Sequence, residues 1–580
     1  EAIALRIRKL ESIDKQKRAR VLKSVVKAGV AVPDNRRQAQ QSKHWKQFLQ
    51  AEEQELDSCR EHEVWELVPL PRGRKAVGTR WVYDVKVDVD GNITRHKARL
   101  VAQGFSQKQG IDYNETFAPP MHIKTVRILL SLAARSKLVV KQYDVSTAFL
   151  HASLREEVYV KQPPGHEVKG KETAHVYKLR KAMYGLKNAP KAYSDHFMGI
   201  LKRLGFKQST RDECLWSYKT GSHYLHYLFH VDDVLVVANS NLLRDSFLRL
   251  MQKELKIRDE GLVSKFLGMR IERLEDGSYT IDQQQYIEKM AELFCVNAET
   301  REVEQPGVFG QPLTLDMLPQ TDREREEAAR LPMQQLVGGL IYANKTRPDV
   351  AYAISDVARF MSKWGVEHFK RALLILKFLY STRHKKLVFS ATNTPFELAC
   401  YADANYGDGR DSGEAADDKW KSQALGGYLV FPGDCLVSWR SRRHKSRCLS
   451  SMESEYMEAS EASKEVVYFR ELMREIGYEM STPTVLYEDN KACMSFSKNN
   501  TNHDRSKHID IRAYALRDKV REGVIKLKHV DTKHQLADMM TKHQQKATFI
   551  KHMEKIYSAD SMPPRSSTWK VRSAHKLNGM

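Results

Sequence analysis

Two neighbouring aspartates, Asp232 and Asp233, interrupt an otherwise apolar stretch, YLHYLFHVDDVLVVAN (Tyr224–Asn239). The flanking runs, Tyr224–Phe229 and Val234–Ala238, are short and rich in aromatic or β-branched residues. That predicts a buried β-hairpin with the acidic pair at or beside its turn. Adjacent carboxylates repel and raise each other's pKa unless a positive charge sits between them, and a divalent cation is the common remedy. Aspartate is also an ordinary turn former, and taken alone the pair is better read as a hairpin cap. A third carboxylate overturns that reading. Asp144 lies in another apolar run, LVVKQYDVSTAFL (Leu138–Leu150), and three such groups on two apolar elements suit metal-assisted chemistry.

A second set of acidic residues lies towards the C-terminus. FELACYAD alternates from Phe396, which makes Asp403 a carboxylate on a strand. The strand TVLYE (Thr484–Glu488) ends at Asp489, and Asp538 falls in the first turn of a closing helix expected over Leu536–Ile556. Glu453 stands in the pattern Ser450-x-x-Glu453, a capping box, and on spacing alone it serves the N-terminus of its own helix, Ser450–Gly477.

Several elements must hold these groups in place. His44–Val68 carries Trp45, Phe48, Leu49 and Leu56 at roughly helical spacing. Trp81–Val89 and Lys97–Gly104 alternate on either side of Asp90–Asn92 and predict a hairpin. Its returning strand bears Lys97 and Arg99, which on their own read as a solvated face. Ile123–Ser136 is a helix leading to the strand of Asp144. Lys178–Phe206 has a glycine in a basic entry and then an amphipathic helix, with Pro190 near its start. Leu242–Leu255 is a charged amphipathic helix, and Phe266–Phe294 reads as strand, turn, strand and helix. Residues 297–328 are polar and contain Pro and Gly, as a linker does. Leu336–Arg383 is largely helical. Two more strands are expected at Gly427–Pro432 and Cys435–Arg440.

A chain of 580 residues with 41% hydrophobic residues is too long for one core, at roughly one domain per 150 residues. Its mean hydropathy of −0.56 fits a soluble protein. No run of about 18 apolar residues and no secretory leader is present, which argues against membrane insertion or export. The seven cysteines are scattered and never spaced CxxC, consistent with a reducing compartment and against structural zinc. The histidines at 503, 508, 529, 534 and 543 lack such partners too, and suit phosphate contacts or proton transfer better than a metal. Asp411-Ser412-Gly413 resembles an aspartic protease triplet, but its acidic polar surroundings lack the apolar strands that chemistry needs. The net charge of +22 concentrates polyanions, of which nucleic acid is the commonest. The first fifty residues are more basic than the average. The chain opens on Glu1, as a piece of a longer precursor would.

Val-Asp-Asp inside its apolar hairpin, the AFL phrase after Asp144 and YGLKNAP (Tyr184–Pro190) together resemble the reverse transcriptase of copia-type (Pseudoviridae) LTR retrotransposons. WELVPLPRGRKAVGTRWVY (Trp65–Tyr83), KARLVAQGFSQKQGIDYNETFAPP (Lys97–Pro120) and TRPDVAYAISDVARFMSKW resemble the same family. The series YADAN, SSMESEY, YEDNKA and QLADMMTK is similar to its ribonuclease H domain. The resemblance covers roughly residues 45–555. One departure is His230, where the family usually has Tyr.

The resemblance implies an α+β multidomain fold. It would be a right-hand polymerase of fingers, palm and thumb with an antiparallel palm sheet, then a connection segment and an α/β ribonuclease H-like domain with a mixed sheet. The implied divisions are 1–44, a basic linker or arm; 45–296, fingers, palm and thumb; 297–330, a linker; 331–395, the connection; 396–556, the ribonuclease H-like domain; and 557–580, a basic tail. The implied activity is RNA-directed DNA synthesis with degradation of the RNA strand of the hybrid.

By the same resemblance, Asp144, Asp232 and Asp233 would be catalytic metal ligands at one site. Asp403, Glu453, Asp489 and Asp538 would be those of the other, each site with two Mg²⁺ ions, or Mn²⁺ in their place. Lys97 or Arg99 would meet the triphosphate. Phe149 would exclude a ribose 2′-OH, and Tyr184, Gly185 and Lys187 would line the nucleotide pocket. The implied partners are an RNA template, a DNA or tRNA primer, the RNA–DNA hybrid and dNTPs, with integrase and capsid of the same element and no membrane. The implied setting is a cytoplasmic virus-like particle whose complex can enter the nucleus. Rival readings are a decayed element that only binds nucleic acid, a packaging protein, and ribonuclease H alone.

Overall fold

In a computed structural model the described residues are 26–27, 30–87, 92–171, 174–392, 396–406, 423–445, 448, 450–498 and 512–557. Asp90, Gly91, the triplet at 411–413, His503, His508 and residues 558–580 lie outside them. The chain divides into two compact units, one formed by Glu1–Thr125 with Leu138–Ser264, the other by Val126–Lys137 with Lys265–Met580.

The first unit is built on a six-stranded antiparallel sheet. Its order is Ile257–Leu262, Val140–Val145, Asp233–Ala238, His223–His230, Leu215–Thr220 and Lys207–Gln208. The aromatic and β-branched runs form its centre because they are buried on both faces: Leu225, Tyr227, Leu228, Val234 and Val236 are fully enclosed. Fully burying one such side chain contributes roughly 1.5–3 kcal/mol, so the runs fix the register. The aspartates between them are left at the sheet's end. The helices Ala189–Arg203 and Asn241–Gln252 cover the sheet through aromatic contacts, Phe197 with Phe229 at 4.8 Å and Phe247 with Tyr218 at 4.6 Å.

The expected hairpin forms between Thr79–Val87 and Ile93–Ala102. The helix Trp45–Glu61 lies along it, burying Phe48, Leu56 and Cys59. That helix is shorter than His44–Val68. Glu63 adopts φ +50, and the chain turns into a strand, Trp65–Pro69, which pairs with His175–Leu179. A short helix, Arg36–Gln40, lies in the stretch expected to be an arm.

The second unit holds two sheets. In one, Lys265–Phe266, Met269–Arg273, Tyr279–Asp282 and Leu387–Phe389 are antiparallel. The strand Tyr279–Asp282, in the stretch expected to form the thumb, thus pairs with Leu387–Phe389, in the stretch expected to form the connection. Local periodicity cannot reveal a pairing across so long a separation. The helix Asp322–Arg330, closed by a capping box from Thr321 and Glu324, lies in the segment expected to be a linker.

The other sheet has the order Ser438–Arg443, Leu425–Pro432, Leu398–Asn405, Thr484–Glu488 and Ile525–His529. Its first three strands are antiparallel and its last two join in parallel, so the sheet is mixed. The long helix Ser451–Glu475 lies on it, with Ala459, Ala462, Val466 and Phe469 buried in phase. The closing helix is broken in two: a 3-10 segment, Leu536–Met540, and a helix, Lys546–Tyr557. The break serves Asp403, because Thr541 turns out of the helical path to donate its hydroxyl to that carboxylate. No helix among the described residues is long and apolar enough to cross a membrane.

Candidate active sites

The first group of carboxylates stands at the ends of two interior strands of the antiparallel sheet. Asp144 and Asp233 are register partners on adjacent strands, and Asp232 occupies the two-residue turn that precedes Asp233. The turn places Val231 at φ +55, a conformation that costs a β-branched residue about 1–2 kcal/mol. The turn is pinned by the Val145 amide, which donates to the Asp232 carbonyl at 2.9 Å. Gln142 donates its amide to Asp233 Oδ1 at 3.1 Å.

Partial burial, with Asp232, Glu260 and Asp233 nearby, raises the pKa of Asp144, and Lys97 opposes this. Burial and Asp232 likewise raise Asp233, while Gln142 and His230 pull it down. His230 is exposed and lies in register with Asp233, so the residue that replaces the usual Tyr acts on that carboxylate electrostatically. Arg258, in register with Asp144 on its other flank, is a basic neighbour that the sequence did not single out.

Of the remaining predicted residues of this site, Phe149, Arg99 and Gly185 gather around Tyr184. Its ring meets Phe149 edge-on at 5.0 Å, and the Arg99 guanidinium stands 5.4 Å from its centroid. The Tyr184 carbonyl accepts from the Ala102 amide at 2.8 Å, which docks the returning strand of the hairpin on this segment. Gly185 has φ +89, and a Cβ there would lie 2.2 Å from the Ala102 carbonyl oxygen, so only glycine fits. Lys187 is engaged by the adjoining loop, with its Nζ donating to the Gln107 carbonyl at 3.2 Å. Tyr193, buried behind Phe149, was missed, since its position in a helix reads as plain core.

The second group stands where the mixed sheet's central strands end. Asp403, Asp489 and Asp538 each place a carboxylate oxygen within 4.8 Å of the others, and Glu455, Glu488 and Asp489 do the same. Glu453 belongs to neither set. Its backbone amide donates to Ser450 Oγ at 3.1 Å, one half of the capping box that the spacing suggested. The helical residue that reaches the group is Glu455, whose side chain accepts from the Ala404 amide at 2.7 Å. A signal for it was present: Glu455 lies one turn before Ala459, in phase with Ala462, Val466 and Phe469, and so on the face turned to the sheet.

Burial is the first cause of the raised pKa of Asp403, Glu455, Glu488 and Asp538, and repulsion between them the second for Glu455 and Asp538. Asp538 is pushed up to about 7. Lys542 pairs with Asp538 at 2.8 Å and offsets part of this repulsion. Thr532 donates to Asp489 Oδ2 at 2.8 Å. His543 is half-buried and packs against Tyr352, with ring centroids 4.6 Å apart. Such a set of buried oxygens, short of cationic partners, can hold a metal ion.

Residues 62–304 match the reverse transcriptase (RNA-dependent DNA polymerase) family. The chain is 34% identical over 497 residues to the retrovirus-related Pol polyprotein from transposon TNT 1-94 of Nicotiana tabacum, covering 85% of this chain and 36% of that protein. It is 31% identical over 508 residues to the corresponding polyprotein from transposon RE1 of Arabidopsis thaliana, covering 87% and 33%. A transposon Ty5-1 protein of Saccharomyces cerevisiae is 32% identical over 325 residues, all of its length and 56% of this chain. A foamy viral protease-reverse transcriptase solved in complex with double-stranded DNA aligns with a TM-score of 0.43 and 13% identity, covering 83% of this chain and 69% of that one.

The segment bearing Asp144, Asp232 and Asp233 is therefore a reverse transcriptase domain. The chain belongs to the copia-type retrotransposon Pol polyproteins, and it spans about a third of the length of the tobacco and Arabidopsis relatives.

Proposed function

We propose that this chain is the RNA-directed DNA polymerase of a copia-type retrotransposon, with a ribonuclease H that digests the RNA strand of the hybrid it makes. The observation that carries the first activity is the pairing of Asp144 with Asp233, with Asp232 at the intervening turn. On this reading the six-stranded sheet is the palm and the hairpin Thr79–Ala102 belongs to the fingers. The sheet joining Tyr279–Asp282 to Leu387–Phe389 belongs to thumb and connection, and the mixed sheet is the ribonuclease domain.

The carboxylates of both sites fit divalent cations, Mg²⁺ or Mn²⁺, because each set brings like charges together in a desolvated place. Two ions so held would supply Lewis acidity at the attacking oxygen and charge neutralisation at the leaving group. The protein's own part is positioning. Gln142 orients Asp233, and the docked hairpin presents Lys97 and Arg99. Arg99 is committed to the Tyr184 ring while Lys97 acts on Asp144, which favours Lys97 as the residue that meets the triphosphate. Phe149, held edge-on by Tyr184 and Tyr193, would present a rigid wall to a ribose 2′-OH. At the second site Asp403, Glu455, Asp489 and Asp538 would hold the ions, and recognition of the 2′-OH would confine cleavage to RNA.

The partners on this reading are template RNA, a DNA or tRNA primer, dNTPs and the hybrid. Integrase and capsid of the same element and a virus-like particle in the cytoplasm would complete the setting. His230 beside Asp233 is the observation that favours the rival, a decayed element that binds nucleic acid without copying it. Extension of poly(rA)·oligo(dT) by the purified chain with Mg²⁺ or Mn²⁺ decides between them: product formation supports the polymerase, and binding without product supports the remnant.

A further inference from the structure

Five carboxylates, rather than four, meet where the strand Thr484–Glu488 ends. We propose that Glu488 is itself a cation-holding residue, forming with Glu455 and Asp489 a seat for a divalent ion beside the Asp403–Asp489–Asp538 set. The proposal rests on the ribonuclease reading and goes a step further, since neither the sequence pattern nor the resemblance assigned Glu488 a role.

One oxygen from each of Glu455, Glu488 and Asp489 lies within 4.8 Å of the other two. Glu488 is 0% exposed. Its Oε1 accepts from the Asn490 amide at 3.1 Å, and its Oε2 meets no donor among the described residues. A buried acceptor left without a partner is costly, and a carboxylate more so than a neutral group. Its two neighbours are each oriented by a donor of the protein, Glu455 by the Ala404 amide and Asp489 by the Thr532 hydroxyl. Among the described residues no positive partner reaches the orphaned oxygen, and three hard oxygen donors within reach of one another suit Mg²⁺ or Mn²⁺ rather than a soft metal. Lys542 is paired with Asp538 in the neighbouring set.

Cation binding by the full chain can be followed by calorimetric titration with Mn²⁺, in an Asp144→Asn, Asp233→Asn background so that the first site does not contribute. Glu488→Gln preserves shape and the bond from Asn490 while removing the charge. It should weaken binding of one ion by about tenfold or more, and Glu488→Asp, which keeps the charge on a shorter stem, should weaken it less. Metal-free melting curves of both variants establish that each is folded, and Glu488→Asp carries the test if the Gln variant is not. Wild-type stoichiometry and affinity in the charge-removing variant, with binding lost in Asp489→Asn, would overturn the role of Glu488 and leave the ribonuclease reading standing. Unchanged binding in all the variants, Asp489→Asn included, would overturn both.

Discussion

Asp144 and Asp233 face each other in register across the antiparallel strands Val140–Val145 and Asp233–Ala238, although they are far apart in sequence. Three carboxylates are thereby held together at one end of the sheet by the burial of the apolar runs around them.

Asp144→Asn or Asp233→Asn should remove about 4 kcal/mol or more of transition-state stabilisation, roughly 10³-fold in rate, from primer extension. Asp232→Asn should do likewise. Cleavage of an RNA–DNA hybrid, which on the proposed reading uses residues of the other compact unit, should stay near the wild-type rate. Parallel assays of the two activities on each variant make the check. Extension at the wild-type rate by the Asn variants would remove the basis for the first site.

At the second site the two glutamates of one helix should behave differently. Glu455→Gln should abolish hybrid cleavage, because Glu455 stands among the gathered carboxylates, whereas Glu453→Gln should leave the rate within about threefold and cost under about 1 kcal/mol of stability as a change at the helix start. The reverse ranking in a hybrid-cleavage time course would restore Glu453 to the site.

Gly185→Ala should both destabilise the reverse transcriptase domain and impair nucleotide use. The new Cβ would collide with the Ala102 carbonyl oxygen, and φ +89 is strained for alanine, so at least about 1–2 kcal/mol should be lost. Urea unfolding measures the first effect. A raised KM for dNTP in primer extension, with hybrid cleavage unchanged, measures the second.

The pH dependence of stability should reveal the crowded carboxylates. Burial and repulsion from Asp403 lift Asp538 from its usual 3.8 to about 7. Between those values the folded chain binds more protons than the unfolded one, so stability falls as pH rises, by up to about 1.4 kcal/mol per pH unit for such a group. Metal-free melting temperatures should drop across this window, and saturating Mg²⁺ should flatten the drop by compensating the ionised forms. A melting temperature that is flat from pH 4 to 7 in the presence of chelator would argue against the effect.

The sequence by itself determined the hairpin around Asp232 and Asp233, because aromatic and β-branched runs of that length bury as strands whatever surrounds them. It also determined the strand positions of Asp144 and Asp403 and the place of Asp489 just past a strand, since alternation and strand ends are local properties. The helix Ser451–Glu475 is legible with its cap, yet the resemblance points to Glu453 rather than Glu455, because a match of motif order does not weigh the helical phase that turns Glu455 to the sheet. Only the tertiary structure decided which carboxylates meet. It broke the expected closing helix so that Thr541 reaches Asp403, and paired Tyr279–Asp282 with Leu387–Phe389 in one sheet. It also brought Glu488 into the acidic group. These facts rest on contacts between residues remote in sequence, fixed by the packing of whole sheets and helices rather than by the preferences of any one segment.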